Sequence, residues 1–162
     1  MKVLVVGTGA LGGYYGGKLA HAGETVHFLA RGATLRALRE RGLKVVRDTE
    51  TFELPRVSMS DDPNAGGKPD LVLVTTKSYD LDAAGALLKS VVHPETIIIP
   101  LQNGVDSAER LRATIGTGRV LRAMTYLSAK GTTPGVIVQA GAERPALLGP
   151  LDANDEEAAQ AA

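Results

Sequence analysis

The 162-residue sequence contains no cysteine and no tryptophan. The lack of cysteine excludes disulfides, thiolate nucleophiles and cysteine-based metal sites. His21 and His27 fall within a predicted helix and a predicted strand, and their spacing does not match a set of metal ligands. We therefore expect no metal centre.

The chain also lacks an excess of charge of either sign and any long apolar run. Lysine and arginine number 18, as do aspartate and glutamate, so nucleic acid or an anionic membrane is not an expected partner. No apolar stretch approaches the length of a membrane span. Met1 leads directly into a short apolar run that a glycine interrupts, unlike a signal peptide. We expect a cytoplasmic protein.

The first 31 residues contain the clearest pattern of the chain. An apolar, β-branched run predicts a strand, a glycine turn follows, and small residues then predict a helix to about Ala22. Gly23 stands where that helix would end in a left-handed turn. A second predicted strand follows, with a basic residue after it. In order, these features are Lys2–Val6, Gly7-Thr8-Gly9-Ala10-Leu11-Gly12, the helix, Thr25–Leu29 and Arg31.

The glycine spacing G-x-G-x-x-G between a strand and a helix is typical of dinucleotide-binding turns. Gly7 permits a tight turn, Gly9 lets a pyrophosphate approach the backbone, and Gly12 lets the helix pack close to the sheet. The helix then presents free N–H groups and its positive dipole end to the phosphates. A purely structural glycine-rich turn is the alternative interpretation.

Arg31 indicates which dinucleotide binds. Versions of this unit that bind NAD place an acid near the end of the second strand, but no acid occurs between Glu24 and Glu40. Arg31 can instead bind a 2′-phosphate through a charge-assisted contact. The alternative is one more solvated arginine, since Arg36 follows closely. We predict NADP(H) over NAD.

The rest of the chain continues an alternation of helices and strands typical of a doubly wound α/β fold with a mostly parallel sheet. Helices are predicted at 32–41, from a Ser78 cap to near Val91, and from a capping box at Asp106 and Glu109 to Ile115. Strands are predicted at 70–75, 96–101 and 119–128, with a small hairpin at 43–46 and 51–54, a loop at 61–69, a turn at 132–135, and shorter antiparallel strands at 136–138 and 146–148. We expect one domain over 1–150.

Two more polar segments follow predicted parallel strands, where ligands of such sheets bind. Lys77 could meet a phosphate, a ribose or a substrate carboxylate, although an ordinary surface lysine is the alternative. Asn103 has a donor and an acceptor to orient a nicotinamide ribose or a substrate carbonyl. A plain Asn-Gly turn with Gly104 is the alternative there.

Together, Gly7–Gly12, Leu29-Ala30-Arg31, Thr75-Thr76-Lys77 and Leu101-Gln102-Asn103-Gly104-Val105 resemble the ketopantoate reductase (2-dehydropantoate 2-reductase) family. Residues 124–149 resemble the end of that family's cofactor domain, so the resemblance covers about 1–150. It implies a Rossmann-type fold and NADPH-dependent reduction of ketopantoate. It also implies NADP contacts from the glycine turn, Arg31, Lys77, Asn103 and the backbone of Ala129, with Asn103 touching the substrate as well.

The resemblance further implies a second, mostly helical domain that supplies the catalytic lysine. We expect no catalytic residue in this chain, and we interpret the acidic, alanine-rich tail at 151–162 as the start of that domain, in which Asn154 or Asp155 could cap a short helix. An ordinary disordered tail is the alternative. A 2-keto acid would be a substrate only once the second domain completes the site.

Two other functions stay open. The chain could be a stand-alone NADP-binding module, or the cofactor domain of another 2-keto or 3-hydroxy acid dehydrogenase. Because the second domain would cover part of this one, we also expect an apolar surface near Asn103 and self-association of the isolated chain.

Overall fold

The computed structural model describes residues 1–48, 50–152 and 155–161. The strands are β1 Lys2–Val6, β2 Thr25–Leu29, β3 Leu43–Val46, β4 Thr51–Leu54, β5 Ser58–Ser60, β6 Leu71–Val74, β7 Ile97–Pro100, β8 Arg119–Met124, β9 Ala129–Thr133, β10 Val136–Gln139 and β11 Leu147–Pro150. The α-helices are α1 Ala10–His21, α2 Gly32–Arg41, α3 Leu81–Leu88, α4 Ser107–Ile115 and α5 Glu156–Ala161, and short 3₁₀ helices span Pro63–Gly66 and Ser78–Asp80.

The main sheet has seven strands in the order β11-β8-β7-β6-β1-β2-β5. All neighbouring pairs are parallel except β11 with β8. Every residue of β6 is buried, as expected for a parallel strand covered on both faces. This arrangement confirms the predicted Rossmann-type α/β fold.

A second sheet of four strands, in the order β4-β3-β10-β9, packs on the other side of α1. The predicted hairpin of β3 and β4 is confirmed as an antiparallel pair. The sheet is larger than predicted because β10 pairs in parallel with β3 and antiparallel with β9. The sequence did not predict this sheet because β3 and β10 lie far apart along the chain.

Glycines let α1 fit between the two sheets. A Cβ on Gly16 would lie 2.6 Å from the Phe28 ring of the main sheet, and one on Gly13 would lie 2.7 Å from Ile137 Cγ1 of the second sheet. Both faces of the helix therefore need a residue without a side chain, and such close packing fixes α1 relative to β1.

Two predicted boundaries were wrong, and one predicted cap lacks its hydrogen bond. Ser78 does not cap a helix that extends to near Val91: a 3₁₀ turn precedes α3, which ends at Leu88. Asp106 holds the N-cap position of α4, but its side chain makes no capping hydrogen bond. The predicted strand 119–128 ends at Met124, because the segment after it leaves the main sheet to reach β9 in the second sheet.

Two further segments differ from the sequence prediction. β5, which pairs in parallel with β2, was not predicted because its three residues are short and mostly polar. The predicted turn at 132–135 is confined to Pro134 and Gly135, since both threonines belong to β9.

The C-terminal segment packs on the main sheet. Helix α5 contacts β11 and β8. Asp155 is buried and accepts a hydrogen bond from Arg112 Nη2 at 2.5 Å. Asn154, the other predicted cap of this helix, lies outside the described residues.

Candidate functional site

The carboxyl ends of β1, β2 and β6 enclose a cleft of about 380 Å³, which we call the glycine-turn cleft. It is the position at which open α/β sheets bind ligands. Its lining includes the motif glycines Gly7 and Gly9 and the polar side chains of Thr8, Arg31, Thr76 and Lys77. The structure therefore brings together three of the four polar segments that the sequence singled out.

Hydrogen bonds fix the glycine turn against the neighbouring strand ends. Gly7 has a φ of +95°, and a Cβ there would lie 2.9 Å from the Thr76 backbone nitrogen. The Thr75 hydroxyl donates to the Gly7 carbonyl oxygen at 2.5 Å, and the Thr8 hydroxyl donates to the Leu29 carbonyl oxygen at 3.3 Å. The turn is thus held between β2 and β6.

The other two glycines of the motif differ in the space around them. A Cβ on Gly12 would lie 2.9 Å from Val5 Cγ1 and closer still to the Gly7 carbonyl oxygen, whereas a Cβ on Gly9 would meet nothing within 4 Å. Gly9 is the N-cap of α1, which has no side-chain cap and no acid in its first turn. Helix α1 begins at Ala10, and Leu11 packs toward the core. The first N–H groups of the helix are therefore available to an anion.

Two cations stand on opposite walls of this cleft. Arg31 is the exposed N-cap residue of α2 and, within the described residues, has no ion-pair partner. Lys77 is exposed just before the 3₁₀ turn that leads into α3. Asp80, in the polar segment 75–80 after β6, also lines the wall, and so does Thr34, which sequence reasoning missed. Thr34 lies on the same turn of α2 as Arg31, a spacing that could have identified it.

Asn103 and Ala129 are not part of the glycine-turn cleft formed by the described residues. Asn103 is exposed in the loop after β7, between Gln102 and Gly104. Ala129 is the first residue of β9, half-buried and paired with Gln139 in the second sheet. The link between the loop of Asn103 and the cleft is Gln102, whose Nε2 donates to the Thr76 hydroxyl at 3.0 Å.

A second depression of about 600 Å³ lies beyond β7, between the loop of Gly104, the start of α4, β8 and β11. We call it the apolar groove. Val105, Met124 and Leu147 line it and are 96%, 50% and 55% exposed. This is the apolar surface near Asn103 that the sequence led us to expect.

A polar cluster ties the segment between β10 and β11 to α1 and the second sheet. Glu143 accepts a hydrogen bond from the Tyr14 hydroxyl at 2.9 Å and pairs with Lys18 and Arg47. The hydrogen bond from Lys18 is the main cause that lowers the pKa of Glu143. Burial, and then the bond to Glu143, raise the pKa of Tyr14 to about 12. The cluster is a structural tether outside both clefts.

No group of three or more potential metal ligands occurs in the described part of the chain. His27 is buried against Ser58, whose hydroxyl lies 2.8 Å from His27 Nδ1, and His21 stacks on Phe52. None of the helices over residues 1–48, 50–152 and 155–161 has the length and apolar character needed to cross a membrane.

Comparison with known proteins identifies the family. The sequence model of ketopantoate reductase PanE/ApbA matches residues 3–153. A 2-dehydropantoate 2-reductase of Pyrococcus horikoshii is 35% identical over 85% of this chain and 44% of its own length. One of Halobacterium salinarum is 34% identical over 100% of this chain and 54% of its own length.

Solved structures agree with these relatives. A 2-dehydropantoate 2-reductase of Geobacter metallireducens superposes with a TM-score of 0.87 at 34% identity, over 99% of this chain and 54% of that one. A D-mandelate dehydrogenase gives a TM-score of 0.89 at 21% identity, which shows the shared fold alone.

The chain spans about half the length of the curated relatives it matches. Members of the matched family are NAD(P)-dependent oxidoreductases. The chain belongs to the ketopantoate reductase PanE/ApbA family.

Proposed function

We propose that this chain binds NADP(H) and supplies the cofactor-binding half of an enzyme that reduces 2-dehydropantoate to pantoate, a step in pantothenate biosynthesis. The observation that supports it most is the convergence of the glycine turn, Arg31 and Lys77 on one cleft at the strand ends. The names of the relatives supply the substrate.

The residues of the glycine-turn cleft fit a dinucleotide. The open space at Gly9 leaves room for a pyrophosphate against the backbone, and the N-terminus of α1 is free of acids. Gly7 and Gly12 have no room for a side chain, so the close fit of the turn against Thr76 and Val5 requires glycine at both positions. Arg31 and Lys77 add two positive charges for phosphate oxygens.

Arg31 supports NADP(H) over NAD(H). Its guanidinium is exposed at the end of β2, where NAD-binding versions of the unit hold an acid for the ribose hydroxyl. With no ion pair to a described residue, it is available to a 2′-phosphate. Asp80 is the acid of the described wall and follows Lys77 by three residues, on the α3 side of the cleft.

In the proposed reaction NADPH supplies a hydride to the carbonyl carbon of the keto acid. Asn103, exposed in the loop after β7, would orient the nicotinamide ribose and the substrate, and Ala129 would contribute a backbone contact. A proton donor at the carbonyl oxygen is also required, and the family resemblance places it in the helical domain. We therefore expect this chain alone to bind the cofactor without turning over the substrate.

Titration of the 162-residue chain with NADPH and NADH, followed by nucleotide fluorescence, tests the proposal. We expect NADPH to bind at least tenfold more tightly than NADH, since a hydrogen-bonded charge is worth roughly 1.5–3 kcal/mol. A turnover assay with 2-dehydropantoate should then show no activity above background. Failure of both nucleotides to bind would refute the cofactor assignment, and equal binding would refute the preference for NADP(H).

A further inference from the structure

Gln102 makes one hydrogen bond and leaves the other end of its amide unused. Its Nε2 donates to the Thr76 hydroxyl at 3.0 Å, while its Oε1 is buried and has no hydrogen-bond partner in the described part of the chain. A buried acceptor without a partner is destabilising, because the hydrogen bonds it made to water are not replaced. Exchanging the amide oxygen and nitrogen would not help, because one polar end would still lack a partner.

The position of Gln102 suggests what the unused end binds. Gln102 lines the apolar groove, and Thr76 lines the glycine-turn cleft. Their hydrogen bond is therefore a direct link between the two depressions. Thr76 also touches the glycine turn, since a Cβ on Gly7 would lie 3.0 Å from Thr76 Cγ2.

The strand order indicates which half of a dinucleotide would reach Gln102. Dinucleotides lie across the carboxyl ends of such sheets, with one nucleotide on each side of the glycine turn. Arg31, at the end of β2, marks the side of the adenosine nucleotide. The nicotinamide nucleotide would then extend over β6 and β7, the strands on the other side of β1. Gln102 lies two residues after the end of β7 at Pro100.

We propose that Gln102 binds the nicotinamide nucleotide of NADP(H), with Oε1 accepting a hydrogen bond from a ribose hydroxyl or the carboxamide while Nε2 stays on Thr76. This inference rests on the proposed cofactor function. Gln102 as a whole is partly exposed and lines the groove, so the inference requires its terminal amide to rotate until the oxygen faces the groove. The bond to Thr76 limits that rotation and so orients the acceptor.

The test compares two ligands that share the adenosine half. NADPH contains the nicotinamide nucleotide, whereas 2′,5′-ADP contains only the adenosine, the 2′-phosphate and one phosphate for the glycine turn. The variant Gln102→Met preserves the length of the side chain and removes its polar atoms. We expect it to weaken NADPH binding about three- to tenfold, the value of one hydrogen bond, and to change 2′,5′-ADP binding less than twofold.

Gln139→Met is the matched control. Gln139 is also buried, but its Nε2 donates to the carbonyl oxygens of Ala140 and Gly141, away from both clefts. It should change neither affinity. Thermal unfolding of each variant shows that it is folded. If Gln102→Met does not fold, Gln102→Asn, one methylene too short to reach both partners, should show the same selective loss.

The titrations with NADPH and 2′,5′-ADP distinguish failure of the inference from failure of the proposed cofactor function. Equal weakening of both ligands by the Gln102 variants would overturn the inference, because Gln102 would then act on the glycine turn through Thr76. No change in NADPH binding would also overturn it. If the unmodified chain binds neither NADPH nor 2′,5′-ADP, the proposed cofactor function itself has failed. Selective loss of NADPH affinity confirms the inference.

Discussion

The two depressions at the carboxyl edge of the main sheet differ in how their walls are built. The glycine-turn cleft joins the ends of three adjacent parallel strands, and hydrogen bonds from Thr8 and Thr75 hold its turn in place. The apolar groove is bounded by a loop, β8 and the antiparallel strand β11, and its apolar side chains face solvent. The first combines polar and apolar side chains around a fixed glycine turn, whereas the second is an exposed apolar surface that another apolar surface could cover.

Substitutions are expected to act differently in the glycine-turn cleft and in the apolar groove. In the glycine-turn cleft the proposed binding surface is the backbone itself, so we expect an added methyl group to have a large effect. In the apolar groove single side chains contribute area, and replacing one of them has a moderate effect.

The largest effect is expected from Gly12→Ala compared with Gly9→Ala. The new Cβ at position 12 would overlap the Gly7 carbonyl oxygen and lie 2.9 Å from Val5, so we expect a loss of about 3 kcal/mol in unfolding free energy and roughly 10 °C in Tm. Gly9→Ala meets no atom within 4 Å, and it should cost less than about 1 kcal/mol. Thermal unfolding followed by circular dichroism measures both.

Gly9→Ala should nevertheless weaken the binding of NADPH at least tenfold, since the new methyl group would occupy the space left for a phosphate. Gly12→Ala and Gly9→Ala thus distinguish an effect on folding from an effect on cofactor binding within one motif. Similar losses of stability in the two variants would contradict the different spaces around these glycines. Unchanged NADPH binding in Gly9→Ala would contradict the phosphate position.

Arg31→Ala should weaken the binding of NADPH about 10- to 100-fold and leave the binding of NADH unchanged, because a hydrogen bond to a charged group is worth roughly 1.5–3 kcal/mol. Arg36→Ala is the control, an exposed arginine on the same helix that does not line the glycine-turn cleft formed by the described residues. Parallel fluorescence titrations give the four affinities. Equal losses of NADPH and NADH affinity would show that Arg31 does not recognise the 2′-phosphate.

The sequence predicted the glycine-turn cleft better than it predicted the groove. Gly7–Gly12, Arg31 and Lys77 each follow a strand whose apolar pattern is local, so the parallel-sheet rule alone places them together. The wall of the groove depends on β11 pairing with β8, and the register of Leu147 with Met124 has no local signal. Only the presence of an apolar surface near Asn103 could be expected.

The second sheet shows the same limit. Its β3–β4 hairpin was predicted because the two strands are close in sequence. The parallel pairing of β3 with β10 joins Val45 to Ile137, and no pattern in either strand specifies a partner that distant. The glycines of α1 were a usable signal, since Gly13 and Gly17 serve no purpose in the G-x-G-x-x-G motif and pack on this sheet.

We expect the 162-residue chain to self-associate through the apolar groove, and Met124→Glu to weaken that association about tenfold. Met124 is 50% exposed and pairs with Leu147 across the two strands, so a carboxylate there interrupts the apolar surface. Tyr79→Glu is the control, because Tyr79 is 80% exposed and outside the groove. Sedimentation velocity over a range of concentrations measures both. A monomer at all concentrations in the unmodified chain would refute the prediction.

The smallest effect concerns the tether at Glu143, on the segment that leads into β11. Its pKa is lowered mainly by the hydrogen bond from Lys18, so the folded state favours the ionised carboxylate. The contribution of ionised Glu143 to folding stability is present above the ordinary pKa of 4.5. It is lost as the pH falls through the lower pKa of the folded state. Glu143→Gln should therefore be less stable than the unmodified chain at neutral pH, with the difference shrinking below that ordinary pKa.

The side chain of Glu143 is 36% exposed, so solvent screening keeps the expected difference below about 1 kcal/mol. Glu53→Gln, which breaks an exposed pair with Lys44 at 2.8 Å, should change the unfolding free energy still less. Urea unfolding of both variants at neutral and acidic pH measures the differences. If Glu143→Gln destabilises the protein equally in acid, the tether depends on the shape of the side chain rather than on its charge. The wall of the groove would then be held by packing alone.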